Sequence, residues 1–247
     1  MNHKERRTAF ILAAGLGTRL REMTINHPKA LVELNKQPLL KVTLESLIKQ
    51  GFNHFVINIH HFGEQILEFL SNNPYPEVEI DISDEREKLM DTGGAIIKAL
   101  PYFSESDAVL IHNVDIVTNL DFQAFYDEFR QSCDAVWLLT QNRDNSRKLV
   151  FDKNDNFIGR FNTITKEFDG NCQFDNNFKL LSFSGLHFIK PRFFKDFELK
   201  PCYVFELYSQ LAEYHNVKSV QIHPDYWFDL GTKEQLEEAS SWLLSQR

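Results

Sequence analysis

Short runs of apolar residues alternate with helical patterns through the first half of the chain. A short continuous apolar run predicts a buried strand of a parallel sheet, and apolar positions three or four residues apart predict a helix that covers it. Strands are predicted over 8–13, 55–59, 78–82, 108–111 and 135–140. Helices are predicted from Pro38 to Gly51 and over 64–70, 94–100 (with Pro101 as the expected end) and 122–130. This alternation predicts a mostly parallel sheet with helices on both faces.

The pattern becomes richer in strands after residue 140. The polar segment Asp152–Asn156 predicts a hairpin turn, and a long strand is predicted over 180–189. Two further helices are predicted over 203–214 and 234–244. The sequence contains no internal repeat, low-complexity tract or linker. It therefore predicts one α/β domain over 1–247, with a Rossmann-like, mostly parallel sheet flanked by helices and a β-rich insertion in its second half.

Composition and charge exclude several classes of protein. The chain has 247 residues, of which 43% are hydrophobic and 25% charged, as is ordinary for a soluble globular protein. Its net charge of −8 argues against a nucleic-acid partner, because nucleic-acid-binding proteins draw most of their affinity from a basic surface. No apolar stretch approaches the ~18 residues of a membrane span, so no membrane partner is expected.

The cysteines and the N-terminal residues favour a cytoplasmic location. Cys133, Cys172 and Cys202 are odd in number and contain no Cys-x-x-Cys pair, which predicts neither a disulfide framework nor a zinc site. The apolar run that follows Arg6 and Arg7 is shorter than the ~7–15 residues of an export signal. A reducing cytoplasm is the simpler interpretation.

A glycine-rich segment directly follows the first predicted strand. Gly15 and Gly17 let a polyphosphate approach the backbone, whose N–H groups can bind its oxygens. Arg19 adds a fork of donors for phosphate, and Lys29 offers a second cation. The segment is not a P-loop, because Gly-Lys-Ser/Thr is absent, and Leu20 stands where a dinucleotide-binding loop has its third glycine. A bare Gly-x-Gly turn is more often structural than functional.

The longer string around this turn is much more specific. Residues 12–20 read Leu-Ala-Ala-Gly-Leu-Gly-Thr-Arg-Leu, residues 28–31 read Pro-Lys-Ala-Leu, and together they resemble the opening of the sugar-1-phosphate nucleotidyltransferase (NDP-sugar pyrophosphorylase) family. Four later segments are similar to motifs of the same family: Asp91–Ala95, Asn113–Asp115, Phe183–Gly185 and Trp227–Thr232. The resemblance covers roughly residues 8–235. It implies a fold of the nucleotide-diphospho-sugar transferase type.

The resemblance also implies a role for individual residues. Catalytic roles fall on Arg19, which would hold the distal phosphates, and on Lys29, which would bridge the reacting phosphates. Nucleotide contacts fall on Ala13, Ala14, Gly15, Gly17, Thr18, Thr92 and Gly93, the last two in a loop against the base. Sugar contacts fall on Asn113 and Gly185. The nucleotide-binding half is expected over about 8–140, the sugar-binding half over 141–235 and a C-terminal helix over 232–247.

The chemistry implied by the resemblance needs a metal but no general base. Asp115 and Asp229 would hold Mg²⁺, which prefers oxygen ligands. An oxygen of the sugar phosphate, already anionic, would attack the α-phosphorus of a nucleoside triphosphate in line, and pyrophosphate would leave. Positioning and charge neutralisation then do most of the catalytic work. The expected partners are the triphosphate and the sugar 1-phosphate, and the chain is expected to be a monomer or homodimer.

Within the family, the short chain, Asp91–Ala95 and Trp227–Thr232 are most similar to the uridylyltransferases that act on N-acetylmuramate 1-phosphate, which implies UTP as donor and a role in peptidoglycan recycling. Guanylyltransferases of mannose or heptose 1-phosphate are the alternative. Two features depart from the family's pattern. Val114 replaces a usual glycine, and no segment clearly matches the one that grips the sugar phosphate, although Arg160 and Lys166 lie in that region.

Other interpretations remain open at this point. A non-catalytic nucleotide sensor could share the fold, and a Rossmann-type dehydrogenase is a third, weaker candidate. The histidines His60, His61 and His112 follow predicted strands and could contact a ligand or serve as structural donors. His223 and Asp225 are expected to belong to a turn at Pro224 rather than to a metal site. The aromatic residues Phe193, Phe194 and Phe197 are expected in the core or a subunit interface.

Overall fold

The structure is a computed structural model that describes residues 5–246 and every side chain in this range except that of Arg21. Residues 1–4 and 247, which begin and end the expected domain, lie outside the described residues.

The order of elements is that of an α/β protein. The strands are β1 (Thr8–Leu12), β2 (Glu33–Leu34), β3 (Gln37–Pro38), β4 (His54–Ile59), β5 (Glu79–Asp84), β6 (Val109–Asn113), β7 (Ile116–Thr118), β8 (Val136–Gln141), β9 (Arg147–Phe151), β10 (Phe157–Asn162), β11 (Phe168–Gly170), β12 (Lys179–Ile189), β13 (Val217–Gln221) and β14 (Trp227–Asp229). The α-helices are α1 (Leu39–Lys49), α2 (Gly63–Asn72), α3 (Asp91–Phe103), α4 (Phe122–Gln131), α5 (Val204–Leu211) and α6 (Lys233–Ser245). Short 3-10 helices cover Thr18–Thr24, Lys29–Leu31 and Pro191–Phe194.

These elements form two compact units that alternate along the chain. Of the described residues, the first unit takes 5–89, 112–123 and 224–246, and the second takes 90–111 and 124–223. The chain thus leaves the first unit and returns to it twice.

The first unit is built on three parallel strands. β1 pairs with β4 and β4 with β5, with Phe10 opposite Val56 and Ile57 opposite Ile82. β4 is buried along its whole length, because a parallel strand covered on both faces has no solvent-facing side. Since the strands are parallel, their carboxyl ends meet at one edge, where α/β proteins bind ligands.

Two short ladders complete this unit. β2 and β3 form a hairpin whose turn residues Asn35 and Lys36 have φ of 51° and 63°. β7 pairs with β14 in antiparallel register. α6 then begins with a capping box, in which Thr232 and Gln235 each bond the other's backbone N–H.

The second unit is richer in antiparallel pairs. β12 pairs with β8 along one part of its length and with β9 along another, and β9 pairs with β10. β13 runs parallel to β8. Aromatic side chains fill the core, where the ring of Phe129 lies 5.7 Å from that of Phe188 and 5.2 Å from that of Trp137.

The predicted fold class is confirmed, since the strands form a mixed, mostly parallel sheet flanked by helices. The predicted strands and helices all occur, and the hairpin turn at Asp152–Asn156 joins β9 to β10. Pro101 was expected to end α3, but the helix continues to Phe103, so this prediction is wrong. The short strands β2, β3, β7, β11, β13 and β14 were not predicted. Within residues 5–246 no helix is both long and apolar enough to cross a membrane.

One buried histidine makes the stability of the second unit dependent on pH. His187 is buried and packs against the rings of Phe183 and Tyr208, and among the described residues neither of its ring nitrogens has a hydrogen-bond partner. Burial lowers its pKa from 6.5 to about 3. Between these values the unfolded chain binds more protons than the folded one, so stability falls as the pH falls through this window.

We therefore expect the free energy of unfolding of His187→Phe to depend less on pH in acid than that of the unmodified protein. The native histidine contributes a slope of about 1.4 kcal/mol per pH unit below pH 6.5, which the variant lacks. Urea unfolding from pH 7 to pH 4 measures this slope, with His223→Phe, at an exposed position, as the control. Equal slopes for His187→Phe and the unmodified protein would contradict the assignment.

Candidate active site

The glycine loop, residues 13–17, continues directly from the carboxyl end of β1. Gly17 has a φ of 63°, a left-handed conformation that favours glycine. A Cβ at this position would lie 2.9 Å from Cγ2 of Thr24 and 3.1 Å from Cβ of Lys29, so close packing also disfavours a side chain. Thr24 Oγ1 donates a hydrogen bond to the Gly17 carbonyl at 3.1 Å. Gly17 therefore brings the loop directly against the segment that carries Lys29.

The Lys29 ammonium and the Asp115 carboxylate form a buried ion pair. Lys29 begins a 3-10 helix immediately after Pro28, and Asp115 lies between β6 and β7. Each residue is only 9% exposed. Nζ of Lys29 donates a hydrogen bond to Oδ2 of Asp115. The two charges compensate each other, and removal of one partner from a buried pair typically costs about 3–5 kcal/mol.

Val114 stands where the family's pattern has glycine, and both of its backbone groups are hydrogen-bonded. Its side chain is buried in the core. Its N–H donates to the carbonyl of Leu12 at 3.3 Å, and its carbonyl accepts a hydrogen bond from Oγ1 of Thr43 at 3.5 Å. The backbone beside Asp115 is thus tied to both β1 and α1.

The β7–β14 ladder brings Asp229 beside Asp115. Asp229 is the last residue of β14 and lies directly opposite Ile116, the first residue of β7. The N–H of Leu230 donates to the carbonyl of Asp115 at 2.9 Å. The two aspartates, far apart in sequence, therefore reach the same end of one ladder.

Arg19 reaches the same place from the glycine loop. A Cβ on Gly231 would lie between 2.7 and 2.9 Å from the guanidinium atoms of Arg19, so the guanidinium packs directly over this glycine. Gly231 does not have a positive φ, and its N–H donates to Oε1 of Gln235 at 3.1 Å. The exposed Arg19 side chain therefore packs against the Cα of Gly231, where a larger residue would displace it. The sequence motif contained this glycine, but its role was not predicted.

The residues present fit a magnesium ion. Asp115 and Asp229 offer carboxylate oxygens, the ligands that Mg²⁺ prefers. A second group of potential ligands, His54, Glu79 and Asp81, has ligand atoms within 4.8 Å of one another, but it lies near the amino ends of β4 and β5, away from the glycine loop. The ring nitrogens of His54 already contact Oγ1 of Thr8 and Oδ2 of Asp81, each at 3.0 Å.

Two buried polar residues beside the glycine loop were missed by the sequence analysis. Oδ1 of Asn58 accepts hydrogen bonds from the N–H groups of Ala13 and Ala14, and Nδ2 of Asn58 donates to Glu85. Both alanines are buried, and their N–H groups are bonded within the protein. Nucleotide contacts at these two positions stay a prediction. The remaining predicted loop positions, Gly15, Gly17 and Thr18, are exposed or half-exposed. A polar Asn58 inside an apolar strand was the available signal.

Thr92 and Gly93 lie in the second unit, in the first turn of α3, and not in a loop as expected. Oγ1 of Thr92 accepts a hydrogen bond from the N–H of Val204 at 3.2 Å, and the N–H of Gly93 donates to the Cys202 carbonyl at 2.9 Å. A Cβ on Gly94 would lie 2.4 Å from the Lys200 carbonyl oxygen. The glycines therefore permit close packing of the helix against the 200–204 segment.

The two predicted sugar contacts fall in different units. Asn113 is the last residue of β6 and belongs to the first unit, two positions before Asp115. Gly185 belongs to the second unit and has a φ of 81° inside β12. The register of β12 against β8 shifts between Phe183 and His187, so glycine allows the strand to bend there.

One of the two candidates for a sugar-phosphate grip, Arg160, already has an acidic partner. Arg160 bonds Asp169 across the β10–β11 ladder, and Lys166 lies in an exposed turn with a φ of 61°.

The histidine candidates have structural contacts. Nδ1 of His60 bonds the Glu85 carbonyl at 2.7 Å, and His61 packs against Phe62. His112 is buried, bonds the Asn113 carbonyl at 2.8 Å, and burial lowers its pKa to about 4.

The remaining polar and aromatic candidates have surface or packing positions. Asp225 accepts a hydrogen bond from Nδ2 of Asn119 at 2.7 Å, and His223 is exposed. Phe194 is buried, as expected of a core residue, and Phe193 packs against His215 with a centroid distance of 4.5 Å.

Comparison with known proteins places this geometry in a family. Residues 8–151, more than half of the chain, match the family model described as Nucleotidyl transferase. The chain belongs to the nucleotidyl transferase family. This family member is 29% identical over 240 residues to N-acetylmuramate alpha-1-phosphate uridylyltransferase of Neisseria meningitidis serogroup B, an alignment that covers 94% of this chain and 96% of the relative.

Other relatives act on other substrates. The chain is 25% identical over 246 residues to the mannose-1-phosphate guanylyltransferase catalytic subunit beta of Xenopus tropicalis, which covers 97% of this chain and 65% of the relative. Among solved structures, HddC of Yersinia pseudotuberculosis complexed with GMP-PN superposes with a TM-score of 0.75 at 20% identity, covering 96% of this chain and 99% of that chain. A likeness at this identity supports the shared fold alone.

The contact between Arg19 and Gly231 generates a prediction. Gly231→Ala is expected to displace the guanidinium and to lower nucleotidyl transfer on the order of ten- to a hundredfold, because small misplacements of a positioned group are costly. The melting temperature should not fall, since the backbone there accepts alanine. Steady-state kinetics and thermal unfolding measure the two effects.

The matched comparison is a double-mutant cycle with Arg19→Ala. Arg19→Ala alone should lower the rate by ~10²–10³, the usual cost of one contact that stabilises transition-state charge. Gly231→Ala should then have little further effect in the Arg19→Ala background. Fully additive losses would show that Gly231 does not act through Arg19.

Proposed function

We propose that the protein is a sugar-1-phosphate nucleotidyltransferase, which transfers a nucleoside monophosphate from a triphosphate to a sugar 1-phosphate and releases pyrophosphate. The single observation that carries the proposal is the convergence of Arg19, Lys29, Asp115 and Asp229 beside one exposed glycine loop. A nucleotide sensor would need neither the paired carboxylates nor both cations. The convergence therefore favours catalysis over binding alone.

The role of each side chain follows from its position. The exposed part of the glycine loop offers backbone N–H groups to the triphosphate, at the carboxyl edge of β1 where such ligands bind. Arg19 projects from that loop and supplies a planar fork of donors for the distal phosphates. Lys29, held at the loop by Gly17, lies where its ammonium can offset charge on the reacting phosphates. Asn113 and Gly185 remain the proposed sugar contacts.

We further propose that Asp115 and Asp229 hold Mg²⁺. When bound there, the ion supplies Lewis-acid stabilisation of phosphate charge and helps to align the two substrates. Lys29 compensates the charge of Asp115 within the protein, and its ammonium would also serve as a cation for the phosphates. No side chain is needed as a general base, because the attacking phosphate oxygen is already anionic.

We propose UTP as the preferred donor and N-acetylmuramate 1-phosphate as the acceptor. The uridylyltransferase of Neisseria meningitidis supports this choice, since its alignment covers nearly all of both chains. Such an activity would operate in the cytoplasm and serve peptidoglycan recycling. The competing proposal is guanylyl transfer, which the mannose-1-phosphate guanylyltransferase relative supports at lower identity and with lower coverage of the relative.

The metal proposal predicts that Asp115→Asn and Asp229→Asn each lower Mg²⁺-dependent turnover by about a hundredfold or more, because a carboxylate ligand is lost. Asparagine keeps an oxygen that can accept the Lys29 hydrogen bond, but the Lys29 charge loses its compensation, so thermal unfolding is measured first to show that the Asp115 variant is folded at the assay temperature. Pyrophosphate release across a Mg²⁺ titration measures the effect.

Asp225→Asn is the matched control. Asp225 is exposed, lies four residues before Asp229 in the sequence, and accepts a hydrogen bond from Asn119 outside the proposed metal site. It should turn over normally. If Asp115→Asn or Asp229→Asn is folded and keeps near-normal turnover and Mg²⁺ dependence, the two aspartates are not the metal ligands.

The donor proposal predicts that UTP is consumed in preference to GTP, ATP and CTP. A site built around specific hydrogen bonds rejects an unmatched base, because its buried polar groups are left unpaired. All four triphosphates would be mixed in one tube with N-acetylmuramate 1-phosphate, and the NDP-sugar products separated by mass. A dominant GDP-sugar would overturn uridylyl transfer and support the guanylyltransferase alternative.

A further inference from the structure

Asn58 interrupts the apolar sequence of β4 with a buried amide. It is 3% exposed and lies at the carboxyl end of the strand, next to the start of the glycine loop. Its Oδ1 accepts hydrogen bonds from the N–H of Ala13 at 2.7 Å and from the N–H of Ala14 at 3.2 Å. One side-chain oxygen thus holds the first two amides that follow β1.

A buried carboxylate fixes the orientation of that amide. Glu85 follows β5 directly, is 0% exposed, and accepts a hydrogen bond from Nδ2 of Asn58 at 2.8 Å. Its backbone is fixed as well, because its N–H donates to the Ile59 carbonyl at 2.8 Å and its carbonyl contacts Nδ1 of His60 at 2.7 Å. The carboxylate is therefore anchored to the end of β4.

The direction of these hydrogen bonds has one consistent solution. The N–H groups of Ala13 and Ala14 can only donate, so the Asn58 amide oxygen must face the loop. The NH₂ group of Asn58 then faces Glu85, whose carboxyl oxygen accepts its hydrogen bond. An amide that donates a hydrogen bond becomes a better acceptor in turn.

We propose that Glu85 and Asn58 are positioning residues that hold the glycine loop in its phosphate-binding shape. The relay runs from the Glu85 carboxylate through the Asn58 amide to the N–H groups of Ala13 and Ala14. It confines the first two amides to the protein and leaves those from Gly15 onward to face the triphosphate. The loop's role rests on the proposed function, whereas the relay itself rests on the hydrogen bonds.

Packing alone does not account for this pair. The positions before Asn58 in β4, from Phe55 to Ile57, are apolar and buried. A buried carboxylate and a buried amide cost free energy unless they are hydrogen-bonded, and apolar residues of similar shape would fill the space without that cost. The hydrogen bonds from Asn58 to the N–H groups of Ala13 and Ala14 explain why this position is polar.

The decisive test exchanges the two groups. Asn58→Asp alone should face one buried carboxyl group with another and weaken the loop. Glu85→Gln alone keeps an oxygen that can accept from Nδ2 of Asn58 and should weaken the loop less. In the double variant Asn58→Asp/Glu85→Gln the amide can donate to the carboxylate, and the carboxylate oxygen can still accept from the loop. The double variant should therefore recover most of the function lost in the Asn58→Asp variant.

Two readouts separate positioning from general stability. Amide hydrogen exchange should show protection of Ala13 and Ala14 falling on the order of tenfold or more in Asn58→Leu, with Phe10 in β1 unchanged. The Kd for Mg²⁺–UTP should rise on the order of tenfold or more, and in active enzyme the KM for triphosphate should rise while that for the sugar 1-phosphate does not.

Asn53→Asp is the matched control at the opposite end of the same strand pair. Oδ1 of Asn53 accepts from the N–H of Arg7 and its Nδ2 donates to the Glu5 carbonyl, each at 2.9 Å. This variant should leave nucleotide binding unchanged. Unchanged exchange at Ala13 and Ala14 in Asn58→Leu, or a double variant no better than Asn58→Asp, would overturn the relay. Loss of the proposed enzymatic activity alone would not, because hydrogen exchange reports on the loop without turnover.

Discussion

The antiparallel pairing of β14 with β7 is the constraint on which the candidate site depends. It brings the late segment that contains Asp229 and Gly231 to the turn that contains Asp115. The same pairing places Gly231 under the guanidinium of Arg19. Such a contact between distant parts of the chain costs loop-closure entropy, so it forms only because the surrounding unit is folded. The site is thereby coupled to completion of the first unit.

The ion pair between Lys29 and Asp115 adds an electrostatic constraint. Two charges at 9% exposure are tolerated because they neutralise each other. A bound cation could compensate the charge of Asp115, and a bound anion could compensate the charge of Lys29. Binding of a metal and a polyphosphate would then be favourable in combination, whereas either alone would leave one buried charge less well compensated.

The sequence predicted the parallel core because its signals are local. Local motifs also indicated the candidate site residues, whose roles stay a prediction. The apolar runs around Phe10 and Val56 identify β1 and β4, and the glycine pattern identifies the loop. The short ladders β2–β3 and β7–β14 could not be predicted, since two- or three-residue strands carry little periodicity. The roles of Asn58, Glu85 and Gly231 depend on tertiary neighbours that sequence spacing does not encode. The segment at Gly93 was expected as a loop, yet the glycines serve close packing at the start of α3.

We propose that Arg19, Lys29, Asp115 and Asp229 form a nucleotidyl-transfer site rather than a hydrolytic or purely binding one. The most direct measurement supplies UTP labelled at either the α- or the γ-phosphate, together with Mg²⁺ and N-acetylmuramate 1-phosphate. We expect the α-label to appear in an NDP-sugar and the γ-label in pyrophosphate. Appearance of the γ-label in orthophosphate, or tight triphosphate binding without any product from a panel of triphosphates and sugar 1-phosphates, would contradict it.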